Sequence, residues 1–145
     1  MRIRKAKLKD LNQIIKINKK YLKEKGRDWK SLIKDAENPF YVAIEKNKII
    51  GFASLEFQKW NNSAWLRHIV IDEKLRGRGF ATKLMEKIKM VGKRRKARVL
   101  MAETQPQNTA TKFYFKNGFR ECGHNDRYYS NDKKGIAIFM SYDLE

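Results

Sequence analysis

The spacing of apolar residues predicts helices near the start of the chain and strands after them. From 11 to 22 the apolar residues recur at helical intervals, and Asp10 stands where an N-cap belongs. A second helical pattern covers 28 to 36 and ends near Pro39, because proline cannot continue a helix. Two helices are therefore expected to follow a short first strand around Ile3.

From Phe40 onward the apolar residues are spaced as in β-strands, and helices return after the third of these segments. Polar turn residues separate the first three segments, which predicts an antiparallel meander. Gly118 follows a helical segment at the position of a left-handed cap. The expected elements are strands at 40–44, 49–57 and 64–71, a helix at 80–91, a strand at 98–102, a helix at 109–117, and strands at 119–129 and 136–142.

This order of elements predicts a single α/β domain over residues 1–145. A chain of that length has the usual size of one domain, and its 41% hydrophobic residues are sufficient for a packed core. The order fits a mixed, mostly antiparallel sheet of about seven strands with helices on both faces. In sheets with parallel pairs, ligands bind beyond the carboxyl ends of the strands, next to helix starts.

The net charge of +18 changes this picture by suggesting an anionic partner. It comes from 34 Lys and Arg residues against 16 Asp and Glu residues. Such a charge attracts polyanions and makes their binding dependent on salt. Three interpretations stay open: a solvated, charge-rich surface, a contact with nucleic acid or the ribosome, and an anionic cofactor.

Cysteine usage and hydropathy exclude two classes of protein. Cys122 is the only cysteine, which rules out an internal disulfide and a cysteine zinc cluster and suits a reducing compartment. No apolar window approaches the length of a membrane span, and the basic start leads into no signal-peptide core. We therefore expect a cytoplasmic protein that does not bind membranes.

The densest chemical signal is a glycine loop between the strand at 64–71 and the helix at 80–91. Gly77 and Gly79 allow a tight turn and close approach of a ligand, and the first helical turn presents N–H groups with partial positive charge. Arg76, Arg78 and Lys83 add full positive charges. The loop predicts a pyrophosphate site, although it contains neither a P-loop sequence nor the third glycine of a dinucleotide fingerprint.

At this loop the chain resembles the GNAT superfamily of N-acetyltransferases, whose hallmark is Arg/Gln-x-x-Gly-x-Gly/Ala. The matching segment is Arg76-Gly77-Arg78-Gly79-Phe80-Ala81, and Ile69-Val70-Ile71-Asp72 before it resembles the fourth strand of the family. Downstream elements also resemble the family pattern: Asn108, Ala110, Phe113-Tyr114 and Asn117-Gly118-Phe119. The resemblance implies the GNAT fold and acetyl-CoA as the acetyl donor, without a metal.

The resemblance also implies which residues contact the donor, mostly through the main chain. The pantetheine arm would pair with the backbone of the strand before the loop, and the pyrophosphate would bind the loop amides. Asn108 resembles the family asparagine that contacts the cofactor arm, and Gln107 is an alternative to it. The expected cofactor-binding residues are Ile69, Val70, Ile71, Arg76, Gly77, Arg78, Gly79, Phe80, Ala81, Thr82 and Asn108.

Two further residues resemble the catalytic groups of the family. Tyr114 matches the tyrosine that protonates the departing thiolate. Glu103 resembles the general base of the branch that acetylates the N-terminal alanine of ribosomal proteins, and it would take a proton from the attacking amine. Glu56 and His68 are alternative bases, although a lone histidine on an apolar strand is more often structural.

The predicted function is transfer of an acetyl group from acetyl-CoA to a primary amine, at a protein N-terminus or a lysine. Tyr128 and Tyr129 resemble aromatic residues that line the peptide entrance of N-terminal acetyltransferases. A small-molecule amine, such as an aminoglycoside, a polyamine or an amino acid, is the alternative acceptor. A non-catalytic module that binds RNA or the ribosome is an alternative of another class. The protein is expected to be a monomer or a homodimer.

Overall fold

The computed structural model describes residues 1–106 and 109–145 and has a mixed α/β fold. Strands and helices appear in the predicted order, and the sheet has seven strands. The strands are β1 (Arg2–Lys5), β2 (Phe40–Glu45), β3 (Lys48–Gln58), β4 (Ser63–Ile71), β5 (Val99–Thr104), β6 (Arg120–Asn125) and β7 (Ala137–Asp143). The α-helices are α1 (Leu11–Ile17), α2 (Trp29–Lys34), α3 (Phe80–Arg94) and α4 (Ala110–Lys116).

The strands are ordered β1-β2-β3-β4-β5-β7-β6 in an open sheet. Strands β1–β2, β2–β3, β5–β7 and β6–β7 pair antiparallel. Strands β4 and β5 pair in parallel, with Ser63 opposite Val99 and Trp65 opposite Met101. The predicted mixed, mostly antiparallel sheet of about seven strands is therefore confirmed.

The chain divides into two compact units that alternate along the sequence. Unit 1 consists of Met1–Phe57 and Leu66–Met90, and unit 2 consists of Gln58–Trp65 and Val91–Glu145. Strand β4 and helix α3 each contribute residues to both units.

The core of unit 1 is an aromatic and aliphatic cluster between helices α1 and α2 and strands β2 and β3. Phe52 and Ile14 are fully buried, and Trp29 on α2 packs its ring edge-on at 5.6 Å from the ring of Phe52. Strand β2 is buried on both faces, which explains its uninterrupted apolar sequence. This packing fixes the strands that lead to the glycine loop.

The core of unit 2 forms where β5 and β7 meet helix α4. Leu100 and Met140 have no exposed surface, and Tyr114 on α4 is 5% exposed. The ring of Tyr114 packs 5.1 Å from the ring of Phe119, just after the helix. Gly118 has φ of +86°, which confirms the predicted left-handed end of α4.

Two predicted details are wrong. Asp10 stands at the N-cap position of α1, but its carboxylate makes no capping hydrogen bond to that helix. A 3-10 turn at Leu8–Asp10 starts the helical segment earlier, and the carboxylate of Asp10 accepts hydrogen bonds from the backbone of Lys7 and from Arg4. Strand β6 ends at Asn125 instead of continuing to Tyr129. A turn occupies the difference, and Arg127 within it has φ of +56°.

Candidate active site

The glycine loop adopts the backbone conformation that its sequence predicts. Gly77 and Gly79 have φ of +78° and +80°, in the left-handed region that side chains disfavour. A Cβ at either position would have no heavy atom within 4 Å, so the requirement for glycine comes from the backbone angle and not from crowding. The loop is exposed at both glycines, and its main chain is therefore accessible to a ligand.

The start of helix α3 presents a row of backbone amides next to this loop. The amide of Lys83 donates the first hydrogen bond of the helix to the carbonyl of Gly79, at 3.1 Å. The amides of Phe80, Ala81 and Thr82 therefore belong to the turn that lacks intrahelical acceptors. Their partial positive charge, at the end of a 15-residue helix, makes this turn suitable for an anionic group.

Arg76 connects the loop to the end of β4 and to the first helical segment. Its Nε donates to the carbonyl of Ile71 at 3.1 Å, and its guanidinium lies 5.2 Å from the centre of the Tyr21 ring. The hydroxyl of Tyr21 in turn donates to Asp72 at 2.8 Å. Asp72 also accepts a hydrogen bond from the amide of Lys74. These contacts hold the segment before the glycines in place.

The other residues predicted to contact the donor lie on β4 and in the loop. Val70 and Ile71 on β4 are buried, and Ile69 is half-buried. Arg78 and Lys83 are exposed on the loop and the first turn of α3. The prediction for Asn108, and for Gln107 as its alternative, lies outside the described residues.

Tyr114, in unit 2, has a buried phenol whose environment keeps it protonated. Burial raises the pKa of Tyr114 well above its ordinary value, and the charges of Glu103 and Tyr129 raise it further. The neutral phenol is therefore a hydrogen-bond donor over the whole physiological pH range. The same shift makes Tyr114 unsuitable as a base.

Glu103 and the two tyrosines predicted at the acceptor entrance also belong to unit 2. Glu103 lies on β5 opposite Phe139 of β7, and it is half-buried. The ring of Tyr128 packs edge-on at 4.9 Å from Tyr129 and at 6.0 Å from Phe139. Glu103, Tyr114 and Tyr129 all belong to unit 2, and the charges of Glu103 and Tyr129 act on the pKa of Tyr114.

The alternative bases of the prediction are engaged in unit 1. His68 is 3% exposed, with Nδ1 at 2.6 Å from the hydroxyl of Ser54 and Nε2 at 2.7 Å from a carboxylate oxygen of Glu24. Both ring nitrogens therefore have partners, as expected for a structural histidine. Glu56 accepts a hydrogen bond from Nε of Arg67 at 2.9 Å.

Comparison with known proteins decides the family. The model of the acetyltransferase (GNAT) family matches residues 8–119, which include the glycine loop, Glu103 and Tyr114. The chain belongs to the acetyltransferase (GNAT) family. It is therefore an enzyme of the acyltransferase class, as the sequence predicted. No protein with a curated function matches it in sequence.

Solved structures of GNAT proteins cover almost the whole chain. An N-acetyltransferase from Staphylococcus aureus Mu50 is 25% identical with a TM-score of 0.83, covering 99% of this chain and 98% of its own. A protein from Bacillus anthracis strain Ames, assigned as a streptothricin acetyltransferase and solved with acetyl coenzyme A, is 27% identical with a TM-score of 0.84 and the same coverage. The ribosomal-protein-S18-alanine N-acetyltransferase of Escherichia coli shares the fold at 21% identity and a TM-score of 0.80, covering 99% of this chain and 94% of its own.

Two contacts within unit 1 were missed by sequence reasoning. The hydrogen bond from Tyr21 to Asp72 joins residues that are 51 positions apart, and no local sequence pattern predicts it. The contact of Glu24 with His68 likewise joins the segment after α1 to β4. The only available signal was that Tyr21 and Glu24 stand at the end of the first helical segment, where polar residues replace the apolar pattern.

Residues 1–106 and 109–145 contain neither a cluster suited to a metal ion nor a helix suited to a membrane. Among these residues, no group of three or more His, Cys, Asp or Glu side chains is arranged to hold a metal ion. None of the helices in the same residues is both long enough and apolar enough to cross a membrane.

Proposed function

We propose that this protein transfers an acetyl group from acetyl-CoA to the primary amine of a protein N-terminus or a lysine. The observation that carries the proposal is the glycine loop, with two positive-φ glycines followed by the amides of Phe80, Ala81 and Thr82 at the start of α3. This arrangement suits the pyrophosphate of coenzyme A, because it offers several N–H donors and no acidic side chain from 74 to 85.

The donor would be held mainly through the main chain. The backbone of Ile69, Val70 and Ile71 would pair with the pantetheine arm as an added strand does. Arg76 would act indirectly, since its Nε already donates to Ile71, and Arg78 would supply charge to the phosphates. Asn108 is proposed to contact the arm on the strength of the family pattern alone.

Glu103 is proposed as the group that prepares the amine for attack. An amine must lose a proton to become nucleophilic, and lysine and α-amines are largely protonated at neutral pH. Two observations support this role: Glu103 is half-buried, and its charge contributes to the raised pKa of Tyr114, the second proposed catalytic group. It would accept the proton directly or through one water molecule.

Tyr114 is proposed to assist departure of the thiolate. Attack of the amine on the thioester gives a tetrahedral anion, which collapses by breaking the carbon–sulfur bond. The raised pKa of Tyr114 makes complete proton transfer to sulfur uphill, so its main contribution is a hydrogen bond from the phenol to the developing thiolate. The ammonium form of the acceptor gives up two protons. Glu103 would take the first before attack and release it to solvent, and the second would leave the nitrogen as the intermediate collapses and go to the sulfur, which yields a neutral amide and the thiol of coenzyme A.

Three observations bear on the nature of the acceptor. The exposed pair Tyr128 and Tyr129 supports a peptide, because aromatic side chains at an entrance can pack against a backbone. Structural relatives also include an aminoglycoside 6'-acetyltransferase, with a TM-score of 0.84 at 17% identity, so a small-molecule amine is the second candidate. The charge of +18 works against a polycationic acceptor.

A screen with labelled acetyl-CoA tests the proposal. Peptides that differ in their first residue, lysine peptides, aminoglycosides and polyamines should be compared with wild type and with Tyr114→Phe. We expect acetylated peptide that depends on Tyr114. Turnover of small amines alone would move the assignment to the second candidate, and absence of any turnover would favour a non-catalytic module. The extent of the domain over 1–145, the cytoplasmic location and the oligomeric state stay predictions.

A further inference from the structure

An exposed tryptophan and a run of basic residues meet in unit 2. Trp60 is 84% exposed, in the turn between β3 and β4. The basic run begins in the last turn of α3 and continues past its carboxyl end. It consists of Lys93, Arg94, Arg95, Lys96 and Arg98, all of them exposed. From 87 to 102 the sequence contains no Asp or Glu.

Hydrogen bonds hold the tryptophan turn against the basic run. The side chain of Asn62 donates to the carbonyl of Lys96 at 2.7 Å, and the amide of Arg98 donates to the carbonyl of Asn62 at 3.0 Å. Nε of Arg98 also donates to the carbonyl of Asn61 at 2.7 Å, directly after Trp60. The indole and the cationic side chains are therefore parts of one surface, which we call the Trp60 surface.

At Lys96 this surface contains a backbone conformation that is strained for lysine. Lys96 has φ of +58°, at the end of a helix where glycine is the residue that adopts this angle without strain. A glycine at 96 would relieve that strain, which is about 1 kcal/mol for a side chain in the left-handed region. Favourable charge at a helix end accounts for Lys93 and Arg94, but it does not account for a strained lysine or for an exposed indole.

We propose that the Trp60 surface binds an unpaired segment of RNA. Lysine and arginine side chains would contact successive phosphates, and the exposed face of Trp60 would stack on a base. Bases are available for stacking where a strand is unpaired, which is the state in which proteins most often recognise RNA. The proposal is independent of acetyl transfer, because the turn precedes β4 whereas the glycine loop follows it.

The acidic residue Asp143 near this surface is paired with a basic residue outside the run. The carboxyl end of the chain approaches the basic run, where the amide of Leu144 donates to the carbonyl of Arg98 at 2.9 Å. The carboxylate of Asp143, the residue before it, lies 3.2 Å from a guanidinium nitrogen of Arg120. Its charge is therefore offset by a basic residue outside the run.

Binding of a labelled single-stranded oligo(U) RNA, measured by fluorescence anisotropy, tests the proposal. Trp60→Ala should weaken binding about tenfold or more through lost stacking, and Trp60→Phe should retain most of the affinity. Replacing Lys93, Arg94 and Lys96 together with Gln should lower the slope of log K against log salt by about 2. The control replaces Lys16, Lys19 and Lys30, exposed lysines of unit 1, with Gln and should leave the slope close to wild type.

Two substitutions to glycine separate an effect on RNA binding from an effect on folding stability. Lys96→Gly should keep or raise the melting temperature and yet weaken RNA binding. Lys46→Gly is the matched control, because Lys46 is exposed with φ of +50° in the β2–β3 turn of unit 1 and should show the same gain in stability without loss of affinity. Acetyl transfer should be unchanged in both variants.

Three results would overturn the proposal. One is the absence of saturable RNA binding at about 50 mM salt, where phosphate contacts are strong. Another is equal loss of affinity in the unit 1 controls, which would mean that net charge alone attracts RNA. The last is binding that Trp60→Ala leaves intact and that heparin or duplex DNA matches, since a simple polyanion surface would behave in this way.

Discussion

The hydroxyl of Tyr21 donates a 2.8 Å hydrogen bond to Oδ1 of Asp72, and the ring of the same residue lies under the guanidinium of Arg76. One side chain thus holds both the residue that follows β4 and a basic residue next to Gly77 in the glycine loop. Because the loop amides can only bind a pyrophosphate when the loop is in place, Tyr21 is expected to act as a positioning residue.

Tyr21→Phe tests this positioning role. The variant keeps the ring under Arg76 and removes the hydrogen bond, at a cost of about 1 kcal/mol in the free energy of unfolding. We expect KM for acetyl-CoA to rise several-fold with little change in kcat. Tyr21→Ala removes the ring as well and should raise KM further. A fall in kcat at unchanged KM would show that Tyr21 does not position the loop.

The contact of Glu24 with His68 predicts a pH-dependent stability. Burial opposes ionisation of Glu24, but hydrogen bonds from His68 and Arg27 outweigh it, and the pKa of Glu24 is lowered. A lowered pKa contributes stability that is present above the ordinary pKa and is lost as the pH falls through the folded value. The melting-temperature difference between wild type and Glu24→Gln should therefore shrink as the pH falls into the acid range. Arg27→Gln, which removes an exposed partner, should have a small effect.

Tyr114→Phe should lower kcat by about 100-fold and leave KM for acetyl-CoA nearly unchanged, since it removes a donor that acts on the departing sulfur. Because the pKa of Tyr114 is raised, ionisation of this residue should produce no alkaline limb in the pH–rate profile of wild type. Phe113→Leu, a change next to it in the same helix, is the control for packing. An equal loss in that variant would indicate a structural role for Tyr114.

Glu103→Gln should lower the rate most at neutral pH. A base is needed only while the amine is protonated, so the defect should shrink as the pH approaches about 10.4, the ordinary pKa of a lysine amine. Glu56→Gln is the matched control, as Glu56 is a carboxylate already bonded to Arg67. A defect of constant size at all pH values would remove Glu103 from the role of base.

The parts of the site that follow from local backbone rules could be predicted from the sequence. Positive φ at Gly77, Gly79 and Gly118 was foreseeable because glycine tolerates that angle and the neighbouring pattern places each at a helix end. The error at Asp10 has the opposite origin. The carboxylate of Asp10 accepts hydrogen bonds from the guanidinium of Arg4 on β1, and such charged hydrogen bonds are stronger than a bond to a helix amide.

Contacts between distant segments could not be predicted in this way. Tyr21 and Asp72, or Glu24 and His68, meet only because the sheet and the helices pack, and no spacing along one element encodes these pairs. The Trp60 surface could not be predicted from the sequence for the same reason. The basic run was visible in the sequence as charge, but the turn that places Trp60 against it depends on hydrogen bonds between residues 61–62 and 96–98.

Calorimetric titration with acetyl-CoA of wild type, Gly79→Ala and Gly26→Ala tests the central claim most directly. Gly79 and Gly26 have similar angles, φ of +80° and +72°, and space for a Cβ, so both variants should lose about 1 kcal/mol of stability. The account predicts saturable binding to wild type and Gly26→Ala, and binding weakened at least tenfold in Gly79→Ala. Equal affinity in all three proteins, or no binding to wild type, would contradict the claim that the glycine loop holds the pyrophosphate of the acetyl donor.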